Sequence, residues 1–145
     1  MKKAFISVYV LLILLALSLT ISFIYRENEG NFENSQDLYN KKVSMFEAES
    51  LLNIIIGEID GNEDEWIGKE DGKININKLN QLRDNFDSKS SFRIAITSDQ
   101  KKVKEAEDAS GLSIRAYYKD TISYAIMAYK IDENKNLKII YKKVY

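Results

Sequence analysis

A chain of 145 residues with 21 basic and 22 acidic side chains has a formal charge of −1, room for one modest folded domain, and no net field to recruit nucleic acid or anionic lipid. It has no cysteine, which excludes disulfides, zinc-thiolate sites and thiol nucleophiles, and no histidine, which removes Ser-His-Asp chemistry and the commonest metal ligand. The remaining carboxylates, serines and lysines show no base or orienting partner at catalytic spacing, so the chain does not read as an enzyme and calls for no cofactor.

The first element follows Lys2 and Lys3. From Ala4 to Tyr25 there are 22 residues without a charge, then Arg26. At 1.5 Å per residue that run makes roughly 33 Å of helix, enough for a hydrocarbon core of about 30 Å. The basic lead belongs on the cytoplasmic side, which sends everything after Arg26 outside. A discarded secretory signal has a shorter apolar region, of about 7 to 15 residues, and an A-x-A-like site that Thr20 and Ser22 do not make. After a polar stretch, apolar residues return at Leu38, Met45, Ala48, Leu52, Ile55 and Ile59, a helical spacing, with Asp37, Lys41, Glu47 and Asn53 on the other face. No proline interrupts, and Gly30 is the one weak point, so a single helix is expected over residues 5–59: apolar all round in its first half, amphipathic in its second.

Asp60-Gly61 and Asp71-Gly72 are turn signals around an acidic loop. Ile74 and Ile76 suggest a short extended piece, and Asn77 caps a short helix carrying Leu79, Leu82 and Phe86. Alternation then predicts strands at Phe92–Ile96 and Leu112–Tyr118, and the turns at Lys119-Asp120 and "DENKN" bound a hairpin of long, β-branched and aromatic-rich strands, Thr121–Ile131 and "LKIIYKKVY". The segment "KKVKEAED", residues 101–108, reads as a short helix or an exposed loop. The sum is an α+β fold, a mostly antiparallel four-stranded sheet with one face covered by the amphipathic half-helix.

Three constellations carry chemistry in principle. Asp60, Asn62 and Asp64 have the one, three, five spacing of a calcium loop, but Glu65 stands where a glycine is needed and Asp71 where a glutamate is, so a solvated loop is the preferred reading. Asp132, Asn134 and Asn136 share the spacing and read as hairpin-turn residues. Tyr129, Lys130, Lys138, Tyr141, Lys142, Lys143 and Tyr145 would suit stacking and pairing with single-stranded nucleic acid, though alternating Tyr and Lys is also how an edge strand stays soluble and unpaired; nucleic acid is the less favoured partner. Trp66 is expected to be buried, plugging the helix end into the domain.

A short basic leader, an apolar half-helix and an amphipathic half-helix opening a small domain resemble type IV pilin-like proteins. Lys2-Lys3-Ala4 before Phe5 looks like a class III leader, which implies that prepilin peptidase cuts between Ala4 and Phe5 and that the new N-terminus is methylated. The family usually has glycine where Ala4 stands. It generally has glutamate at the fifth mature position, here Tyr9, and subunits lacking it resemble those at a filament tip. "SQDLYNKKVSMFEAESLLN" is similar to a segment of minor pilins of the PilX type, with Ala48, Glu49, Leu51 and Leu52 at the matching positions. The resemblance covers residues 1–56. It implies a leader at 1–4, a transmembrane and assembly half-helix at 5–25, an amphipathic half-helix at 26–59 and a globular α+β part at 60–145. It also implies a single-pass membrane protein with its domain outside, reaching a pilus on the cell surface after assembly, with other pilin subunits, prepilin peptidase and the membrane as partners. The alternative is a stand-alone membrane-anchored binding module whose N-terminal helix is only an anchor.

Overall fold

The computed structural model describes residues 2–68, 73–97, 109–134 and 136–145. The turn expected at Asp71-Gly72 and the segment at 101–108 lie outside these. The chain forms two compact units, one ending at Tyr39 and the other running from Asn40 to Tyr145. A single helix, α1 (Lys2–Ile59, 58 residues), contributes to both.

In the first unit α1 is a helix with large apolar side chains on every side: Leu11, Phe23 and Tyr25 are 66%, 68% and 71% exposed. It is long and apolar enough to cross a membrane. Two of its hydroxyls bond within the helix, Ser18 donating to the Leu14 carbonyl and Thr20 to the Ala16 carbonyl, both at 2.9 Å. That matters in a lipid core, which offers no partner to a stray polar group.

The second unit is the α+β domain. Residues 40–59 of α1 are followed by one helical turn, α2 (Glu63–Trp66), and a short helix, α3 (Ile76–Asn85). Then come four strands, β1 (Ser91–Thr97), β2 (Ser110–Tyr118), β3 (Thr121–Ile131) and β4 (Leu137–Val144), all antiparallel and in the order β1-β2-β3-β4. The α1 stripe of Ala48, Leu51, Leu52, Ile55 and Ile59 is fully buried and meets Leu112, Ile114, Ala125 and Met127, which strand alternation turns to the same face. Burying each of the leucines, isoleucines and Met127 contributes about 1.5–3 kcal/mol, which is what holds helix and sheet together.

The buried stripe differs from the expected one at its start. Leu38 is 64% exposed and Met45 half-buried, while Asn40 and Ser44 lie inward. Four-residue steps from Ala48 lead back to Ser44 and Asn40, not to Leu38, and the sheet accepts a polar residue at Ser44 because Ser123 of β3 faces it: the two hydroxyls are 2.5 Å apart. Trp66 is buried, as expected, at the end of α2, with the Lys78 ammonium 5.5 Å from its ring centre. The cap of α3 is Asn75 and not Asn77. The Asn75 side chain accepts from the Asn77 and Lys78 N–H groups, because the backbone of residue 75 is still extended, its own N–H donating to the Trp66 carbonyl at 2.8 Å.

Two local features set the hairpins. Lys119, in the β2–β3 turn, has φ +50°, a left-handed conformation that non-glycine residues rarely adopt. Between β3 and β4 the register shifts at Ala128/Tyr129, so that Tyr129 pairs with Ile139 and Ile140 is the extra residue of a bulge. The bulge places Leu137 and Ile139 on the same face as Tyr129.

Candidate functional site

The resemblance rests on α1, and the structure places each of its marked residues on that helix. Ala4 and Phe5 stand in its first turns, and their side chains lie outside the described ones. Tyr9 is 62% exposed among Val8, Val10 and Leu12, in a stretch where no carboxylate occurs from Phe5 to Tyr25. Chemically this is a surface for lipid or for other apolar helices: it has no charge with which to pair a neighbour's amine.

Ala48 and Glu49 belong to the seam between α1 and the sheet. Ala48 is fully buried in the core, and Glu49 turns to β4, its Oε1 3.5 Å from the Lys142 ammonium. That ammonium also donates to Asn53 Oδ1 at 2.8 Å. Glu47, placed on the outer face by its sequence spacing, is instead half-buried and holds the turn that feeds β1. Its Oε1 accepts from the Lys89 N–H at 2.9 Å and its Oε2 from the Ser90 N–H at 2.9 Å and from the Ser90 hydroxyl. Two glutamates flanking one buried alanine therefore reach the turn before one edge strand, β1, and the other edge strand, β4. The helical step of about 100° puts i−1 and i+1 on either flank of an inward residue, and that is the signal that would have found Glu47. Lys41, also assigned to the outer face, is half-buried too, and its ammonium donates to the Ile122 carbonyl.

The two calcium-spaced stretches come together. A cleft of about 380 Å³ is lined by Gly61, Asn62, Glu63, Asp64 and Glu65 on one side and by Asn134 and Asn136 on the other. Most of its polar groups have internal partners. Asn62 donates to the Glu58 carbonyl at 3.2 Å, and Glu65 pairs with Lys78 at 2.8 Å, a contact that holds its carboxyl below the usual range. Asp132 accepts from the backbone N–H of Asn134 and Asn136, at 2.9 and 2.8 Å, and the Asn136 hydrogen bond does most to lower its carboxyl. These are the bonds of a hairpin turn. Among the described residues no three carboxylates gather into a group that would hold a metal ion.

The C-terminal aromatic and basic residues divide between the two faces of the sheet. Tyr129 is 1% exposed in the core, where burial pushes its phenol above the ordinary value of 10.0, and Lys142 turns inward to α1. Lys130, Lys138, Tyr141, Lys143 and Tyr145 are exposed. No family model, curated protein or solved structure matches this chain.

Proposed function

We propose that the chain is a minor type IV pilin-like structural subunit, trimmed by prepilin peptidase between Ala4 and Phe5, held in the membrane by the first half of α1, and assembled at or near the end of a pilus or pseudopilus. One observation carries the reading. A single helix is apolar on every side over its first turns and presents a buried stripe to a four-stranded antiparallel sheet over its last ones. An anchor alone needs only the first part. A helix that continues without a break into the domain core suits a subunit whose apolar half exchanges lipid contact for contact with neighbouring helices, leaving the domain at the filament surface.

The position in the filament follows from Tyr9. A bulk subunit would offer a carboxylate there to a neighbour's terminal amine, and this chain offers an aromatic ring. A subunit that docks beneath no other does not need that pair. The test is fractionation of surface filaments sheared from cells. The chain is expected in the filament fraction in small amounts relative to the major subunit, and only in the membrane fraction when prepilin peptidase is deleted. A chain found only in the membrane whether or not the peptidase is present would instead be the stand-alone anchored module.

A further inference from the structure

The face of the sheet turned away from α1 has a composition of its own. None of the four strands contains Asp or Glu. Alternation and register send Arg93, Arg115, Lys130, Lys138 and Lys143 to this outer face, and all of them are exposed. Arg93 lies directly opposite Arg115, and Lys130 directly opposite Lys138. Like charges in directly opposed positions destabilise an antiparallel pair, and no strand supplies a carboxylate to offset either couple. Lysines on β4 are explained by edge protection, but Arg115 stands on an interior strand, where no edge needs guarding.

Tyrosines are interleaved with these cations. The Arg93 guanidinium is 5.8 Å from the Tyr117 ring centre and the Arg115 guanidinium 5.4 Å from that of Tyr124. Tyr124 stacks on Tyr145 with ring centres 5.6 Å apart and planes 26° apart, and the Lys143 ammonium is 5.4 Å from the Tyr145 ring. Arg93, Arg115, Tyr124 and Tyr145 are neighbours in register, so they form one row crossing the whole sheet. At about 4.8 Å between strands the row is about 14 Å long, space for roughly two to three extended nucleotides.

We propose that this outer face binds single-stranded nucleic acid, with phosphates on the opposed cations and bases stacked on the accessible parts of the half-buried Tyr117 and Tyr124 rings and on the exposed Tyr145 ring. Guanidiniums already held against rings lose little freedom when a phosphate arrives, and each phosphate removes a like-charge repulsion that the free protein carries. Planar ligands are favoured because the charge alternates with aromatic faces. A single strand is favoured because, among the described residues, this face of the sheet carries no element to insert into a groove, whereas unpaired bases can reach the rings. The inference stands on the unit from Asn40 to Tyr145 and does not depend on how the N-terminal helix is processed.

The test uses the full chain in nonionic detergent micelles and fluorescence anisotropy with a labelled oligothymidine of about 12 nucleotides, alongside a duplex of the same length and a polyphosphate competitor. Binding to oligothymidine is expected at low salt, tighter than to the duplex. It should weaken with a slope of about −3 in log Kobs against log salt if about four phosphates are neutralised. Arg93→Gln with Arg115→Gln should weaken binding about tenfold or more, and Tyr124→Leu about fivefold or more, while Tyr124→Phe keeps the ring and the affinity. Lys42→Gln, which removes an exposed charge on α1, should change nothing. The fluorescence of Trp66 checks that each variant is folded. No binding at low salt, an equal loss in Lys42→Gln, tighter binding to the duplex, or displacement by polyphosphate with no effect of Tyr124→Leu would each overturn the proposal, the last by showing a face that reads charge alone.

Discussion

Replacing Glu47 by alanine should destabilise the domain far more than a helix-surface glutamate would. Its carboxylate accepts the N–H groups of Lys89 and Ser90 and the Ser90 hydroxyl. Lys89 is exposed, so water replaces its lost partner at little cost, and the hydroxyl can turn to solvent or to a neighbour. The Ser90 N–H is different: that residue is 8% exposed, and an unsatisfied buried donor costs about 1–3 kcal/mol. The expected loss is therefore about 2 kcal/mol, which for a unit of roughly 100 residues lowers Tm by about 8–10 °C. The chain's single tryptophan, Trp66, is buried in this unit, so its fluorescence during urea or thermal unfolding in detergent reports the domain and not the apolar helix. Glu47→Gln, which keeps the shape but turns an amide group toward a donor, should fall between wild type and alanine. A change in Glu47→Ala of less than about 0.5 kcal/mol would refute the clamp, because that is the range of an ordinary surface substitution.

The other seam contact is weaker: Lys142 and Glu49 are 34% and 45% exposed, so Lys142→Met should cost no more than about 1 kcal/mol in the same unfolding assay. Lys119→Gly should raise stability by about 0.5–1 kcal/mol, since φ +50° strains a lysine and not a glycine, and a lower urea midpoint would contradict it. Tyr129 supplies a pH dependence. Its folded phenol keeps its proton above the ordinary value of 10.0, so between that value and the raised one the native state binds more protons than the unfolded chain. Stability should therefore be constant in this respect below the ordinary value and fall as pH rises through the window. Tyr129→Phe should lose that decline, measured as urea midpoints from about pH 8 to about pH 11, and an identical decline in both proteins would dismiss the burial of the phenol as its cause.

What could be read from residues alone was periodic. The strands are legible because alternate residues of β1 and β2 are apolar and β3 is a β-branched and aromatic run between two turns, and α1 because nothing between Lys2 and Ile59 stops a helix. What could not be read depended on partners far along the chain. Ser44 joins the buried stripe because Ser123 lies opposite, and Leu38 is left out although its hydrophobicity argued for it. Glu47 is a structural ligand because the turn at Lys89 and Ser90 comes to it. The bulge at Ile140 leaves no signature among β-branched neighbours, yet it decides which C-terminal side chains face the core. Tyr129 and Lys142 belong in sequence to the basic and aromatic C-terminal cluster but turn to the core and to α1, whereas Arg93 on β1, Arg115 and Tyr117 on β2, and Tyr124 nearer the start of β3 complete that cluster in space.

The same limit applies to Asn75 and Asn77, two equally good caps separated by one isoleucine. The choice between them is made by the Ile67–Ile74 bridge, which keeps the backbone extended up to Asn75. The acidic stretch after α1 read as a loop because helix propensity over four residues is too weak a signal. There α2 forms because Trp66 has a core to enter.

Whether this chain is processed as a pilin-like subunit is read from the intact mass of the protein extracted from membranes, with sequencing of its N-terminus. A chain beginning at a methylated Phe5, lacking Met1 to Ala4, is expected, with the unprocessed mass when prepilin peptidase is absent. A chain that retains Met1 in cells with an active peptidase would contradict it.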